Sequence, residues 1–259
     1  MISLDRREQA EILRSAREAG VAQKNSHLLV RTETLARYRA PPETTIYPLE
    51  YAFHLLGDVR GKTVLEYGCG DGENTVVLAD RGAHIIALDI SAELLDVARK
   101  RLDVNGCHDV DLLIGSAHTL PLPDESVDVI FGMAILHHLE LDLAAREVWR
   151  VLKKGGRAIF EEPTRNSKVV AKLRALFPKR ADVSPFERPL TSREMKEFAG
   201  PCEYRAKTFQ LAFSSLASLV PRWTGEATRL SARADAYLLR HVPALDHYGT
   251  VTVFQMEKN

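Results

Sequence analysis

The sequence predicts an α/β protein built on a doubly wound parallel sheet. Three observations carry that prediction. Between about residues 62 and 162, short apolar runs alternate with longer helical stretches at βαβ spacing, the pattern of a parallel sheet covered by helices on both faces. The first apolar run leads into glycines at alternate positions, Gly68-x-Gly70-x-Gly72, just before a helical stretch. The second run ends near an acidic residue, Asp89. In an open parallel sheet both features fall at the C-terminal edge of the strands, where ligands bind.

The elements follow in order. Residues 3–19 read as a charged amphipathic helix, with Leu4, Ala10, Ile12, Leu13 and Ala16 as its apolar positions and Gly20 as its stop. Ser26–Arg39 reads as a second helix, interrupted by Pro41 and Pro42. Pro48 opens a third, to about Leu56. Residues 1–60 thus form an N-terminal helical cap, and 61–259 the α/β domain. Strands are expected at Lys62–Tyr67, Ala83–Leu88, Val110–Ile114, Ser126–Phe131, Arg157–Glu161, Tyr204–Phe213 and Thr250–Met256. Between them, helices are expected at about Asn74–Asp80, after a Ser91 N-cap to Arg101, and at Leu143–Leu152 after an Asp142 N-cap. The last of these is expected to end at Gly155-Gly156, with Lys153 and Lys154 in its final turn. Thr191-Ser192-Arg193-Glu194 is a capping box, and 214–241 reads as helix broken near Pro221.

Bulk properties narrow the function. The 259 residues are 45% hydrophobic and 27% charged, ordinary for a globular chain that buries its own core. Lys+Arg and Asp+Glu both number 35, so no general nucleic-acid binder is expected. Cys69, Cys107 and Cys202 lack zinc-ligand spacing, and an odd, sparse count suits a reducing cytoplasm. The charged N-terminus does not read as a signal peptide, so none is expected, and no apolar run is long enough for a membrane span.

Glu66-x-Gly68-x-Gly70-x-Gly72, then Asp89, then Gly115-Ser116-Ala117-His118-x-Leu120-Pro121-x-Pro123, then Asp128-Val129-Ile130, resembles the class I S-adenosylmethionine methyltransferases. Small-molecule enzymes of the ubiquinone-pathway group are the most similar. The resemblance covers about residues 60–162. It implies a seven-stranded, mostly parallel sheet in the order 3-2-1-4-5-7-6 with the last strand antiparallel. It also implies S-adenosylmethionine as cofactor, bound by Glu66, Gly68, Cys69, Gly70, Asp71, Gly72, Asp89, Ile90, Ser116, Ala117, Met133 and Ala134. Within that set Glu66 faces the ammonium through water, Asp89 the ribose, Ile90 the adenine face, Ser116 and Ala117 the adenine edge, and Met133 and Ala134 the sulfonium side. The plainer readings are a tight loop at the glycines and a helix cap at Asp89.

Methyl transfer from a sulfonium needs a base only where the acceptor loses a proton. His137 and His138, following the fourth strand, are the candidates, with His137 preferred; the plainer reading is a structural pair at a loop–helix junction. Glu161 and Glu162 end the fifth strand, and Glu162 is a candidate substrate contact; the plainer reading is solvated loop charge. Tyr38 and Tyr47 of the N-terminal extension are further substrate candidates, against ordinary packing. No ligand cluster supports a metal, and none is expected.

The expected reaction is methylation of an oxygen or carbon of a small molecule. The competing classes are an NAD(P)-dependent oxidoreductase, which prefers the G-x-G-x-x-G spacing that Glu73 breaks, and a non-catalytic S-adenosylmethionine-binding protein. Segments at about 163–200 and 214–248 are expected to shape the acceptor pocket. Phe177, Phe186, Trp223 and Tyr237 within them suggest an apolar or aromatic acceptor. Residues 165–180 carry six Lys/Arg and no Asp/Glu. The bland reading is a solvated helix face, and the sharper one is peripheral contact with an anionic surface.

Overall fold

The computed structural model describes residues 4–24, 27–167, 186–211 and 225–259. Seven strands form one sheet: β1 (Thr63–Tyr67), β2 (His84–Asp89), β3 (Val110–Ile114), β4 (Val127–Met133), β5 (Leu152–Pro163), β6 (Glu203–Phe209) and β7 (Val251–Glu257). Their order is β3-β2-β1-β4-β5-β7-β6, as the resemblance implied. The first five strands pair in parallel, and β7 runs antiparallel to both β5 and β6.

The sheet is buried on both faces, which is why its central strands read as continuous apolar runs. Leu65, Ile130, Phe160 and Phe254 face one core, under α6 (Leu141–Val151) and α7 (Ser192–Ala199). Val64, Val129, Ile159 and Val253 face the other, under α3 (Pro48–Leu55) and α4 (Glu73–Asp80). Phe160, fully buried against the rings of Tyr67, Phe198 and Phe254, contributes about 3–5 kcal/mol on the scale of Phe→Ala truncations.

Local signals hold where a side chain supplies the missing bond. Ser91 accepts from the Leu94 amide and starts α5 (Ala92–Asn105). Thr191 and Glu194 close the expected capping box of α7. Other boundaries differ. The helix α6 begins at Leu141, one residue before the expected Asp142 cap, and Glu140 takes the N-cap position. It ends at Val151, and Lys153 and Lys154 lie in β5 rather than in its last turn. Leu152 already pairs with Val127, and the chain bulges before Arg157 pairs with Val129. Gly156 sits in that bulge because a Cβ would stand 2.9 Å from the Asp128 carbonyl.

Helix α1 (Leu4–Lys24) continues past Gly20, and α2 covers only Thr32–Arg39. Its buried face also differs from the expected apolar one. Ile12 and Leu13 are 38% and 63% exposed, whereas Glu11 and Ser15 are buried at 7% and 4%. The reason is what lies beneath. Its C-terminal half packs on apolar surface, Ala19 against Leu94 and Val97 of α5, whereas Arg7, Glu8, Glu11, Arg14, Ser15 and Glu18 line a cavity of mixed polar and apolar walls. The final helix, α8, covers Gly225–His241. Most of the basic segment 165–180, and Phe177 and Trp223, lie outside the described residues.

Candidate active site

The strand-to-helix turn after β1 is built from left-handed glycines. Gly68, Gly70 and Gly72 have φ of 81°, 55° and 82°, a region open to glycine and costly for other residues. Their uses differ. A Cβ on Gly72 would stand 2.9 Å from the Ala98 side chain, so this glycine lets α4 and α5 close. A Cβ on Gly68 would meet Ile135. A Cβ on Gly70 would meet nothing within 4 Å. Gly70 lines a cavity of about 340 Å³, so its bare backbone leaves that space to a ligand.

Asp89 ties this turn to β2. Its Oδ2 accepts from the Gly70 amide and its Oδ1 from the Ser91 amide, both at 2.9 Å. The helix-cap reading and the ligand reading therefore coexist: two lone-pair sites are used and two remain. Burial raises the Asp89 pKa, and the two amides oppose that rise. Glu66 lies behind the turn and is 3% exposed. It accepts from the Thr75 hydroxyl at 2.5 Å. Burial pushes its carboxyl up to about 8, against the lowering hydrogen bond from Thr75 and with the charges of Asp89 and Asp71 adding to the rise. Glu66 is not on the wall of the cavity, so any influence on a ligand passes through the turn or a water.

The cavity gathers most of the expected cofactor set: Gly68, Gly70, Asp89, Ile90, Ala117, Met133 and Ala134. Cys69 and Asp71 line an adjoining cleft together with Tyr38. Asp71 also pairs with Arg101 at 2.6 Å. Ser116 turns away toward α1, where its hydroxyl donates to Glu8. The Tyr67 hydroxyl donates to the Ala117 carbonyl and pins that loop to β1. Ala134 has φ of 51°, uncommon for a residue with a Cβ, and its amide donates to the Glu161 carbonyl.

At the other end of the cavity, Leu136–His138 form a 3₁₀ turn. Glu162, fully buried, holds it: Oε1 accepts from the Ile135 and Leu136 amides at 2.9 and 2.7 Å, and Oε2 lies 2.7 Å from Nδ1 of His137. This is neither solvated loop charge nor a free substrate contact. With a carboxylate as its partner, Nδ1 of His137 carries the proton and Nε2 is left as an acceptor. Nδ1 of His138 lies 3.2 Å from Glu11. Glu161, one residue earlier, points the other way; burial raises its carboxyl, aided by the charge of Glu162.

The wall facing the sheet is the part that sequence reasoning missed. Arg7, Glu8, Glu11, Arg14, Ser15 and Glu18 of α1 all line the cavity. Their spacing of three and four residues was the available signal. Glu8 bonds Nδ1 of His118, whose Nε2 accepts from the Glu140 amide, both at 3.0 Å, so one histidine locks α1, the loop after β3 and the start of α6 together. Of the other expected residues, Tyr47 lies under Arg37, 4.8 Å from its ring, and lines none of these cavities. Phe186 lies under Arg7, and Tyr237 is 64% exposed on α8.

Such a sheet order, with a glycine turn after β1 and a carboxylate after β2 opening on one cavity, defines the class I methyltransferase fold. Residues 65–160 match the methyltransferase domain family, so this part of the chain carries a methyltransferase domain. An uncharacterized methyltransferase of Schizosaccharomyces pombe is 38% identical over 96 residues, which are 37% of this chain and 36% of that protein. A demethylmenaquinone methyltransferase of Listeria welshimeri is 33% identical over 102 residues, 38% of this chain and 43% of the enzyme. The chain thus matches less than half the length of these curated relatives. Among solved structures, geranyl diphosphate C-methyltransferase from Streptomyces coelicolor, in complex with Mg2+, geranyl diphosphate and S-adenosyl-L-homocysteine, superposes with a TM-score of 0.58. It covers 80% of this chain and 78% of that one at 18% identity, a likeness of fold. Among the described residues, no helix is long and apolar enough to cross a membrane.

Proposed function

We propose that this chain transfers a methyl group from S-adenosylmethionine to an oxygen or carbon of a small molecule. One observation carries the reading: a single cavity joins the Gly70–Asp89 end to the His137–Glu162 end. The first end has the free carboxylate lone pairs and bare backbone that suit a ribose and a methionine chain. The second end has an accepting imidazole nitrogen. S-adenosylmethionine supplies an electrophilic methyl on a cationic sulfur. The chain's own part is to align the acceptor, exclude water and remove a proton.

In this reading Asp89 holds the ribose, Ile90 and Ala117 flank the adenine, and Met133 and Ala134 border the sulfonium. Nε2 of His137 takes the proton of an acceptor hydroxyl as its oxygen attacks the methyl, and Glu162 fixes the Nδ1–H tautomer and aims the ring. Residues 1–60 act as a cap, with α1 as the roof. The segments 163–200 and 214–248 shape the acceptor side, a role supported by Glu187 on the cavity wall. A small-molecule acceptor also accords with the names of the Listeria relative and the Streptomyces fold neighbour. The three cysteines are free thiols, as a cytoplasmic protein would keep them.

The test is formation of S-adenosylhomocysteine by the purified chain with a panel of hydroxylated and apolar acceptors. Turnover that depends on one acceptor class supports the reading. Tight S-adenosylmethionine binding without turnover on any of them would favour a non-catalytic binding protein.

A further inference from the structure

We propose that His137, His138 and Glu187 form a binding site for a borderline divalent cation, of the Zn2+ or Co2+ type, on the acceptor side of the cavity. A ring nitrogen from each histidine and a carboxylate oxygen of Glu187 all lie within 4.8 Å of one another. The two histidine rings stand 4.1 Å apart, centroid to centroid. All three residues line the cavity. The sequence concealed this cluster because Glu187 is remote in the chain and arrives only after β5 has crossed beneath the 3₁₀ turn.

The arrangement behind the histidines points to a metal rather than to a simple ion pair. Metal-binding histidines nearly always place the second ring nitrogen against a carboxylate or carbonyl, which fixes the ring and raises its basicity. Here that happens at His137, whose Nδ1 faces Oε2 of Glu162 at 2.7 Å and whose Nε2 is left for a ligand. Nδ1 of His138 lies 3.2 Å from Oε2 of Glu11 but makes no hydrogen bond there, a buried ring nitrogen with no hydrogen-bond partner among the described residues, beside the same cavity. Nε2 of His137 and Oε1 of Glu187 are 3.8 Å apart, too far for a hydrogen bond. Zn–N and Zn–O bonds of roughly 2.0–2.1 Å at a tetrahedral angle hold two donors about 3.3 Å apart. A small side-chain rotation of Glu187, which is partly exposed, closes that difference. The turn carrying both histidines is already fixed by the bonds of Glu162 to Ile135 and Leu136.

The donor set selects the ion. Two imidazoles and one carboxylate suit Zn2+, Co2+ or Fe2+, whereas Mg2+ and Ca2+ take oxygen. The local charge also favours a cation. Glu11, Glu162 and Glu187 surround the pair. Of the nearby guanidinium groups, Arg14 is engaged by Glu11 and Glu18, and Arg7 by Glu140 and the His138 carbonyl. Three protein donors leave a coordination position open toward the cavity. That this position takes the acceptor's oxygen rests on the methyl-transfer reading. A cation held there would supply Lewis acidity to that oxygen and would take Nε2 of His137 out of use as a base, so the acceptor's proton would pass to solvent water instead.

The experiment titrates chelator-treated full-length protein with Co2+, followed by visible absorption, and with Zn2+ by calorimetry, with Mg2+ as control. The expected result is one saturable Co2+ site, displaced by Zn2+ and indifferent to Mg2+. Affinity falls at least about tenfold in Glu187→Gln and His137→Gln, and about 10–100-fold in Glu162→Gln. It is unchanged in His84→Asn, an exposed position on β2. Absence of a saturable Co2+ band, or unchanged affinity in Glu187→Gln, overturns the site; Glu187 is not part of the core, so that variant tests the site even if the histidine variants do not fold. S-adenosylmethionine affinity, measured on the same samples, separates the two claims. Cofactor binding without cation binding refutes this site alone, and cation binding without cofactor binding supports it while refuting the cofactor pocket.

Discussion

Nδ1 of His137 lies 2.7 Å from Oε2 of Glu162, whose other oxygen accepts two backbone amides of the turn that carries the histidine. One buried carboxylate therefore sets the position of the turn and the tautomer of the ring at once. In Glu162→Gln the carboxamide oxygen serves the two amides, and its NH2 faces Nδ1. That arrangement moves the ring proton to Nε2. The expected outcome is a fall in kcat of about 10²–10⁴, the usual worth of a general base, with KM for S-adenosylmethionine little changed. Steady-state kinetics check it.

The glycines of the first turn separate binding from folding. Gly70→Ala places a methyl in open space within the cavity, so it blocks ligand while costing the fold only about 1–2 kcal/mol for the left-handed backbone. Gly72→Ala adds a contact at 2.9 Å with the Ala98 side chain and should destabilise by about 1–3 kcal/mol more. Denaturant unfolding and cofactor calorimetry on the two variants should rank them in opposite orders.

Glu66 makes stability depend on pH. Its carboxyl rises from an ordinary 4.5 to about 8 on folding, so the folded state holds a proton that the unfolded state releases. This contribution is complete below about 4.5 and declines as pH rises to about 8, at a limit of about 1.4 kcal/mol per pH unit. Glu161, raised in the same direction, adds to the slope. Thermal unfolding across that range should show Glu66→Gln with a shallower decline than the parent, and Glu66→Gln/Glu161→Gln with a shallower one still.

Helix α1 roofs the cavity, and its apolar anchor is Ala19, packed with Ala22 against Leu94 and Val97. Ala19→Arg should undock it with little loss of global stability, because the sheet cores do not involve it. Stopped-flow measurement of cofactor release should then give an off-rate raised about tenfold, the expected signature of a weakened lid.

The sheet was legible because its strands are buried on both faces and its turns carry their own chemistry. Asp89, the Ser91 cap and the Thr191–Glu194 box needed no tertiary information. The roof was illegible for a physical reason. Burial normally tracks apolarity, but α1 buries Glu11 and Ser15 over a ligand-sized cavity and leaves Leu13 in water. The start of β5 was missed because Lys153 looks like a helix C-terminal residue, while its ammonium in fact pairs with Asp128 at 2.9 Å. Glu162 was read as a loop charge because nothing local shows that it ends inside the fold, bonded to a turn 25 residues earlier.

The most direct test of the cofactor pocket is calorimetric titration of S-adenosylmethionine into the parent chain and Asp89→Ala. Two ribose hydrogen bonds to a charged acceptor are worth about 1.5–3 kcal/mol each, so affinity should fall at least tenfold while Gly68 and Gly72 keep the turn folded. Unchanged affinity in a folded Asp89→Ala protein would contradict the assignment.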